Sequence, residues 1–472
     1  MRLVFLTLCS IFLTTNLVFA QGYEINIKID GHEEKEAYLG YHYGEKQYIK
    51  DTVAISPDGY FKFKGEEALD PGVYLVIMPP TNQYFEFLID GADQKFTLET
   101  NKEKAAEEMK VKDSKNNLTW YNYLQYLSKK IPMQQKLHEE KAKLAKGDAK
   151  MGELEKKLDK LNGEVKKYHN DLINKSPKSL PAALIRPRLE IDMPEFTGDE
   201  KEQQMQRYLF YKNHYFDHID LGDERLLRSP FLFKRVNYYM EKLTPQHPDS
   251  LAISLDYILE KMEPAEQTFK YYLIYFLNKY ANSKVVGQDA IYVHLVDKYY
   301  KTGKAPWTDE EQLAKIIDNA DRLKPVLIGT KARNIRTQDR NGSFHDLHKI
   351  DSKYTIVYFW APDCGHCKKM TPHLIDANIK FASKGVKIMT ICKPKSGEYK
   401  ECWEYIDEKE NMNKMLNTFD PSNRAQIYYN IRSTPQMFIL DENKEIIMKG
   451  IGADQLEEVM DEIILRDQKK KP

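Results

Sequence analysis

Cys364-Gly365-His366-Cys367 is the stretch of this 472-residue sequence whose residue types and spacing could do chemistry. A C-x-x-C spacing brings two sulfurs together across the first turn of a helix, provided that a helix starts there. A continuous apolar run, Tyr354–Trp360, precedes it and an amphipathic segment, Lys368–Ser383, follows, so the pair is expected where a strand hands over to a helix. A helix start carries unpaired N–H groups and partial positive charge, which favour thiolate over thiol and pull a cysteine pKa below about 8.5. Cys364 is then the expected nucleophile of thiol–disulfide exchange. Cys367, one turn further in and shielded, resolves the mixed disulfide by attacking Cys364. His366 can add positive charge or a hydrogen bond to the thiolate, which makes the couple more oxidising. Trp360 and Pro362 are expected to flank the entrance as substrate contacts, and Asp363 is assigned no role. No cofactor is implied beyond the redox-active disulfide Cys364–Cys367 itself, and no metal.

The rival chemistry for a C-x-x-C pair is half of a zinc site, which needs a second ligand pair. Cys392 and Cys402 could supply it, but nine intervening residues are an unusual separation. Those two cysteines are better read as a second disulfide pinning a loop, a second exchange pair, or free thiols, which geometry must decide. Peroxidase chemistry is disfavoured because Pro362-Asp363 precede a paired cysteine and not a lone one.

The elements that must position this pair are legible in outline. After residue 324 strand and helix signals alternate: Tyr354–Trp360, the helix Lys368–Ser383, a buried strand Val386–Cys392, the strand pair Gln436–Leu440 and Glu445–Lys449, and a closing helix Gln455–Leu465. Such alternation argues for an α/β sheet covered by helices.

Phe359-Trp360-Ala361-Pro362-Asp363-Cys364-Gly365-His366-Cys367-Lys368-Lys369, followed by Ser433-Thr434-Pro435-Gln436-Met437-Phe438-Ile439-Leu440-Asp441, resembles the thioredoxin superfamily, in its exported TlpA/ResA-like branch, over about Pro325 to Leu465. The resemblance implies a thioredoxin fold in which Pro435 is cis and lies against the sulfurs, and in which the backbone of Thr434 pairs with the substrate strand. Gly365-His366 is the dipeptide of protein disulfide isomerases, which implies a potential nearer about −180 mV than the roughly −270 mV of thioredoxin. Two positions depart from the family. Thioredoxins place a buried Asp where this chain has Tyr358, and ResA-like proteins a Glu near Lys395, so proton transfer at Cys367 is left to His366, Tyr358 or water.

The rest of the chain is larger than the part with visible chemistry. Arg2, the apolar run Leu3–Leu13 and Val18-Phe19-Ala20 before Gln21 read as a cleaved signal peptide over residues 1–20, against an uncleaved anchor or a lipoprotein using Cys9. Residues 21–108 show seven short alternating runs with Pro57-Asp58-Gly59 as a turn signal, the pattern of a β-sandwich. Residues 109–323 are helical. Within them a heptad segment spans 137–173, with Leu137, Leu144, Met151, Leu158, Val165 and Leu172 every seven residues. It reads as a helix packed on its own chain, with a turn at Gly147-Asp148; the sharper alternative is a dimer-forming coiled coil. The aromatic-rich stretch that follows, with scattered His214, His218, His247 and His294, reads as inter-helix packing.

The expected fold is therefore multidomain: an N-terminal β-sandwich, a central α-helical region and, over residues 324–472, a C-terminal α/β thioredoxin fold. Over its whole length it resembles the multidomain thioredoxin-like proteins of the Bacteroidetes type. Lys+Arg and Asp+Glu are both 71, so no global field draws the chain to nucleic acid. The implied function is an exported thiol–disulfide oxidoreductase of the periplasm or cell envelope. Its partners would be protein thiols and disulfides and a membrane or periplasmic electron donor. The alternative is an envelope binding or assembly protein with a redox-sensing domain.

Overall fold

The structure is a computed structural model that describes residues 22–91, 93–145, 148–394 and 397–470. The leader reading, Gly147 and Lys395 lie outside the described residues. The chain divides into two compact units, Met1–Thr244 with Glu260–Phe269, and Pro245–Leu259 with Lys270–Pro472. This division runs through the helical region that the sequence presents as one piece.

The first unit opens with eight strands: β1 (Tyr23–Asp30), β2 (Glu36–Tyr43), β3 (Lys46–Ala54), β4 (Phe61–Gly65), β5 (Gly72–Met78), β6 (Gln83–Ile89), β7 (Lys95–Asn101) and β8 (Lys110–Lys112). They form two four-stranded sheets, ordered β4-β1-β7-β8 and β3-β2-β5-β6. Period-two burial makes the core: Ile25, Ile27, Phe61, Phe63 and Leu98 from the first sheet and Leu39, Leu75 and Phe87 from the second are all buried. Phe87 meets Phe96 of the other sheet edge-on, with ring centroids 5.8 Å apart. At Pro57-Asp58-Gly59 the glycine takes φ +82° and donates to the Ser56 carbonyl at 2.8 Å, the left-handed position that a tight turn requires. Strand β8 was not apparent in the sequence.

The heptad segment is not one helix. Lys115–Ala142 and Lys150–Lys175 lie antiparallel, joined by Lys130–Glu164 at 2.7 Å, Gln134–Asn162 at 2.9 Å and stacked Tyr126 and Tyr168 at 4.0 Å. Leu154, Leu158 and Leu161 are buried, so the seam is used within the chain. Asn117 anchors the first helix: its amide accepts from the Leu88 N–H at 2.7 Å and donates to the Leu88 carbonyl at 2.8 Å.

In the second unit, helices Asp289–Leu295 and Glu310–Leu323 belong with a seven-stranded sheet. Its strands are β9 (Arg336–Gln338), β10 (Phe344–Asp346), β11 (Tyr354–Trp360), β12 (Val386–Cys392), β13 (Leu416–Phe419), β14 (Gln436–Leu440) and β15 (Ile446–Lys449), in the order β10-β9-β13-β12-β11-β14-β15. β11 is parallel to β12 and antiparallel to β14. It is buried on both faces, which is why it reads as an unbroken apolar run. Tyr354, Ile356, Tyr358 and Trp360 pack with helix Gly365–Phe381, while Val357 and Phe359 face the opposite core. His294 donates to Asp256 at 2.8 Å and is structural. Among the described residues no helix is long and apolar enough to cross a membrane.

Candidate functional site

β11 ends at Trp360, and the chain turns through Ala361-Pro362-Asp363 into helix Gly365–Phe381. Cys364 is the N-cap of that helix, with the extended backbone a cap needs (φ −85°, ψ 113°). Its sulfur does the work of a capping oxygen, accepting the Cys367 N–H at 3.3 Å. The same sulfur lies 3.4 Å from the Thr434 carbonyl, to which its thiol donates. The Thr434–Pro435 bond is cis. Residues 364 and 434–435, seventy positions apart in sequence, thus meet because β11 and β14 are adjacent strands.

The two cysteines sit in opposite environments. Cys364 is half-buried, and Cys367 is 1% exposed; both are free thiols. For Cys364 the largest single influence is burial, which opposes ionisation. The hydrogen bonds together outweigh it: those from the Cys367 thiol and backbone N–H, from Thr434 and from the His366 backbone hold its pKa below the ordinary thiol value. Cys367 is pushed up to about 12, by burial first and by its neighbour Cys364 second. One sulfur is therefore shifted towards the thiolate and the other is held as a thiol. The reactive species in alkylation is the thiolate. Iodoacetamide should therefore label one thiol of the reduced protein at neutral pH, at Cys364, with a rate–pH midpoint below the roughly 8.5 of free cysteine. A midpoint at or above that value, or equal labelling of Cys367, would contradict the assignment.

The other expected site residues fall into two groups. Pro435 and Thr434 are half-buried beside the nucleophile. His366 is exposed, and its backbone N–H is among the groups that lower the Cys364 pKa. Trp360 and Pro362 are corrections. Both were expected at the entrance, but both are buried; Trp360 is 1% exposed and packs on Tyr405 with ring centroids 5.3 Å apart. Trp360 ends a strand that is buried on both faces and packs in one cluster with Ile356 and Tyr358, and Pro362 is buried in the turn that follows.

Tyr358 itself is 1% exposed in the core cluster that contains Cys367, and its hydroxyl has no hydrogen-bond partner. Burial raises its pKa well above the usual phenol value, and the charges of Cys367 and Cys364 add to the effect. Sequence reasoning missed the support behind Cys367, where Thr371 donates to the Cys367 carbonyl at 2.9 Å and the Tyr405 hydroxyl donates to Thr371 at 3.3 Å. No local motif marks those residues.

Cys392 and Cys402 are bonded to each other, tying the end of β12 to helix Lys400–Glu408. They form no second ligand pair beside Cys364 and Cys367. Among the described residues no cluster of three or more His, Cys, Asp or Glu side chains could hold a metal ion.

Residues 328–449 match the AhpC/TSA family. Residues 23–120 and 148–324 match two domains of unknown function, DUF4369 and DUF5106. A thioredoxin-like protein of Haemophilus influenzae is 24% identical over 133 residues, which are 28% of this chain and 75% of that protein. The thiol-disulfide oxidoreductase ResA of Bacillus subtilis is 23% identical over 124 residues, 26% of this chain and 67% of its own length. Among solved structures, a domain of a possible thiol-disulfide isomerase from Cytophaga hutchinsonii is 34% identical, covering 30% of this chain and 97% of that one, with a TM-score of 0.28. The family match and the two sequence relatives make the C-terminal domain a thioredoxin-superfamily oxidoreductase of thiols and disulfides. Its branch is the TlpA/ResA-like one.

Proposed function

We propose that this chain exchanges disulfides with exported proteins of the cell envelope through Cys364 and Cys367. The single observation that carries the reading is the asymmetric pair: a half-buried sulfur capping a helix beside Thr434–Pro435, with a second sulfur sealed behind it. The Cys364 thiolate attacks a substrate disulfide, forming a Cys364–substrate bond and expelling one substrate thiolate, which takes a proton from water. The Cys367 thiol loses its proton and attacks Cys364 Sγ. The Cys364–Cys367 bond forms, the second substrate thiolate leaves, and the substrate has gained the two electrons that the chain has lost. An external dithiol restores the reduced pair, and with an oxidant in its place the same steps run backwards.

Stabilising the Cys364 thiolate stabilises the reduced form, so the couple is more oxidising than one with ordinary thiols. A potential nearer about −180 mV than −270 mV is the expected value. The leader-like residues Arg2, Leu3–Leu13 and Val18-Phe19-Ala20 support export with cleavage before Gln21. A membrane or periplasmic dithiol is the electron donor that this location requires.

The test uses the protein expressed from its full sequence and recovered from the periplasm. Its N-terminus should be Gln21, and it should accelerate reduction of a peptide disulfide by dithiothreitol well above the reagent alone. Reduction no faster than with dithiothreitol alone overturns the exchange reading, and retention of residues 1–20 in the cytoplasm overturns the export reading.

A further inference from the structure

A cleft of about 590 Å³ opens beside the cis-proline loop, entirely within the second compact unit. That volume lies in the range of ligand-binding clefts, roughly 300–1,000 Å³. Its near wall belongs to the thioredoxin sheet and carries Pro435, Gln436 and Ile451. Its far wall comes from a part of the chain with no exchange chemistry: the connection after helix Glu266–Ala281, with Val285 and Val286, and Asn319 of helix Glu310–Leu323.

Three features say what this cleft is shaped to take. The first is continuity with the reacting sulfur. Cys364 lies 3.4 Å from the Thr434 carbonyl, and the next residue, Pro435, already lines the cleft. A polypeptide joined to Cys364 through a mixed disulfide has this cleft beside its point of attachment. The second is apolar surface with no core to serve. Val285 and Val286, in a connection between helices, are 59% and 39% exposed, where burial against a partner would remove apolar area from water.

The third is charge. Lys284, Arg432 and Lys449 line the cleft against one carboxylate, Asp289. Lys449 already binds Asp289 and also donates to the Val326 carbonyl at 2.6 Å. The Arg432 guanidinium is held by the side-chain oxygens of Asn319 and Asn430, both neutral amides. It is therefore oriented without being neutralised, and Arg432 and Lys284 together leave the cleft positive.

We infer that this cleft receives the substrate segment that flanks the exchanging cysteine, and that it selects segments with an acidic side chain within a few residues of that cysteine. The inference rests on the exchange reading and adds a substrate class to it. The inter-helix connection around Ser283–Gly287, with Asn319, then acts as the specificity wall of the site, and Arg432 and Lys284 as its anion contacts.

The test is a series of peptides, each closed by one disulfide and identical except for Asp, Ala or Lys at one to three residues on either side of a cysteine. The reductant is dithiothreitol, and kcat/KM is measured with the full-length protein. At the best position the Asp peptide should exceed the Lys peptide by about tenfold at low salt, and the preference should shrink towards unity near 1 M salt. The double variant Lys284→Glu, Arg432→Glu should abolish or invert the ratio. Both side chains are exposed, and Lys284→Glu alone should reduce the ratio if the double variant folds poorly. Equal rates for all peptides at every position, or a ratio that the variants leave untouched, overturns the cleft assignment while exchange stands. Failure of the wild-type protein to turn over any peptide would instead remove the exchange reading, and this inference with it.

Discussion

Cys364→Ser is expected to reduce dithiothreitol-driven disulfide reduction to the rate of the reagent alone, at least about a thousandfold below the wild-type protein. The chemistry of the site gives two reasons. A serine hydroxyl ionises so far above neutrality that the hydrogen bonds which lower the Cys364 thiol cannot make it an alkoxide. An oxygen–sulfur bond, moreover, is no substitute for the mixed disulfide that carries the two electrons. The substitution is also unusually clean structurally. Cys364 caps helix Gly365–Phe381 by accepting the Cys367 N–H, and serine is among the best residues for that position. Thermal unfolding should therefore match the wild-type protein, which separates loss of chemistry from loss of fold. Activity within tenfold of wild type would mean that some other group is the nucleophile.

Cys367→Ser is expected to leave the first half-reaction and stop the second. The attacking sulfur keeps its helix start and its Thr434 neighbour, and a hydroxyl at residue 367 can still donate to it as the thiol does. Release of the first substrate thiol in a single turnover should therefore remain close to the wild-type rate. Turnover should fall at least about a hundredfold, because an intramolecular thiol held in place is replaced by a dilute external one, and well-oriented intramolecular groups act at very high effective concentration. The measurable sign is accumulation of a covalent protein–substrate adduct that dithiothreitol dissolves slowly. Formed in cells on the full-length chain, that adduct would carry the natural substrate. Full turnover by this variant would show that Cys367 is not the resolving thiol.

The exchange chemistry was legible because it depends on residues close in sequence. Cys364 and Cys367 are one helical turn apart, and the apolar run before them and the amphipathic run after them announce the strand-to-helix junction that gives one sulfur an N-cap and buries the other. The strands of the first unit were readable on the same terms, since alternating burial has a period of two. The short strands β8, β9, β10 and β13 were not, because a run of three or four residues has too little pattern to stand above its surroundings and exists through its partner in the sheet.

A C-x-x-C pair at a helix start, an α/β domain to hold it, a β-rich region and a long helical one are all readable from the residues in order. Those conclusions follow from local periodicity, capping and composition. The packing of whole elements, not the local pattern, buries Trp360 in the core and Pro362 in the turn after β11, because helices and strands distant in sequence cover both faces of that strand. The tertiary structure alone paired Cys392 with Cys402, sent the heptad seam back onto its own chain, and set the valines of residues 285 and 286 across a cleft from Pro435. Each of these is a meeting between residues distant in sequence, and such meetings are set by how the elements pack rather than by the local pattern that forms each one.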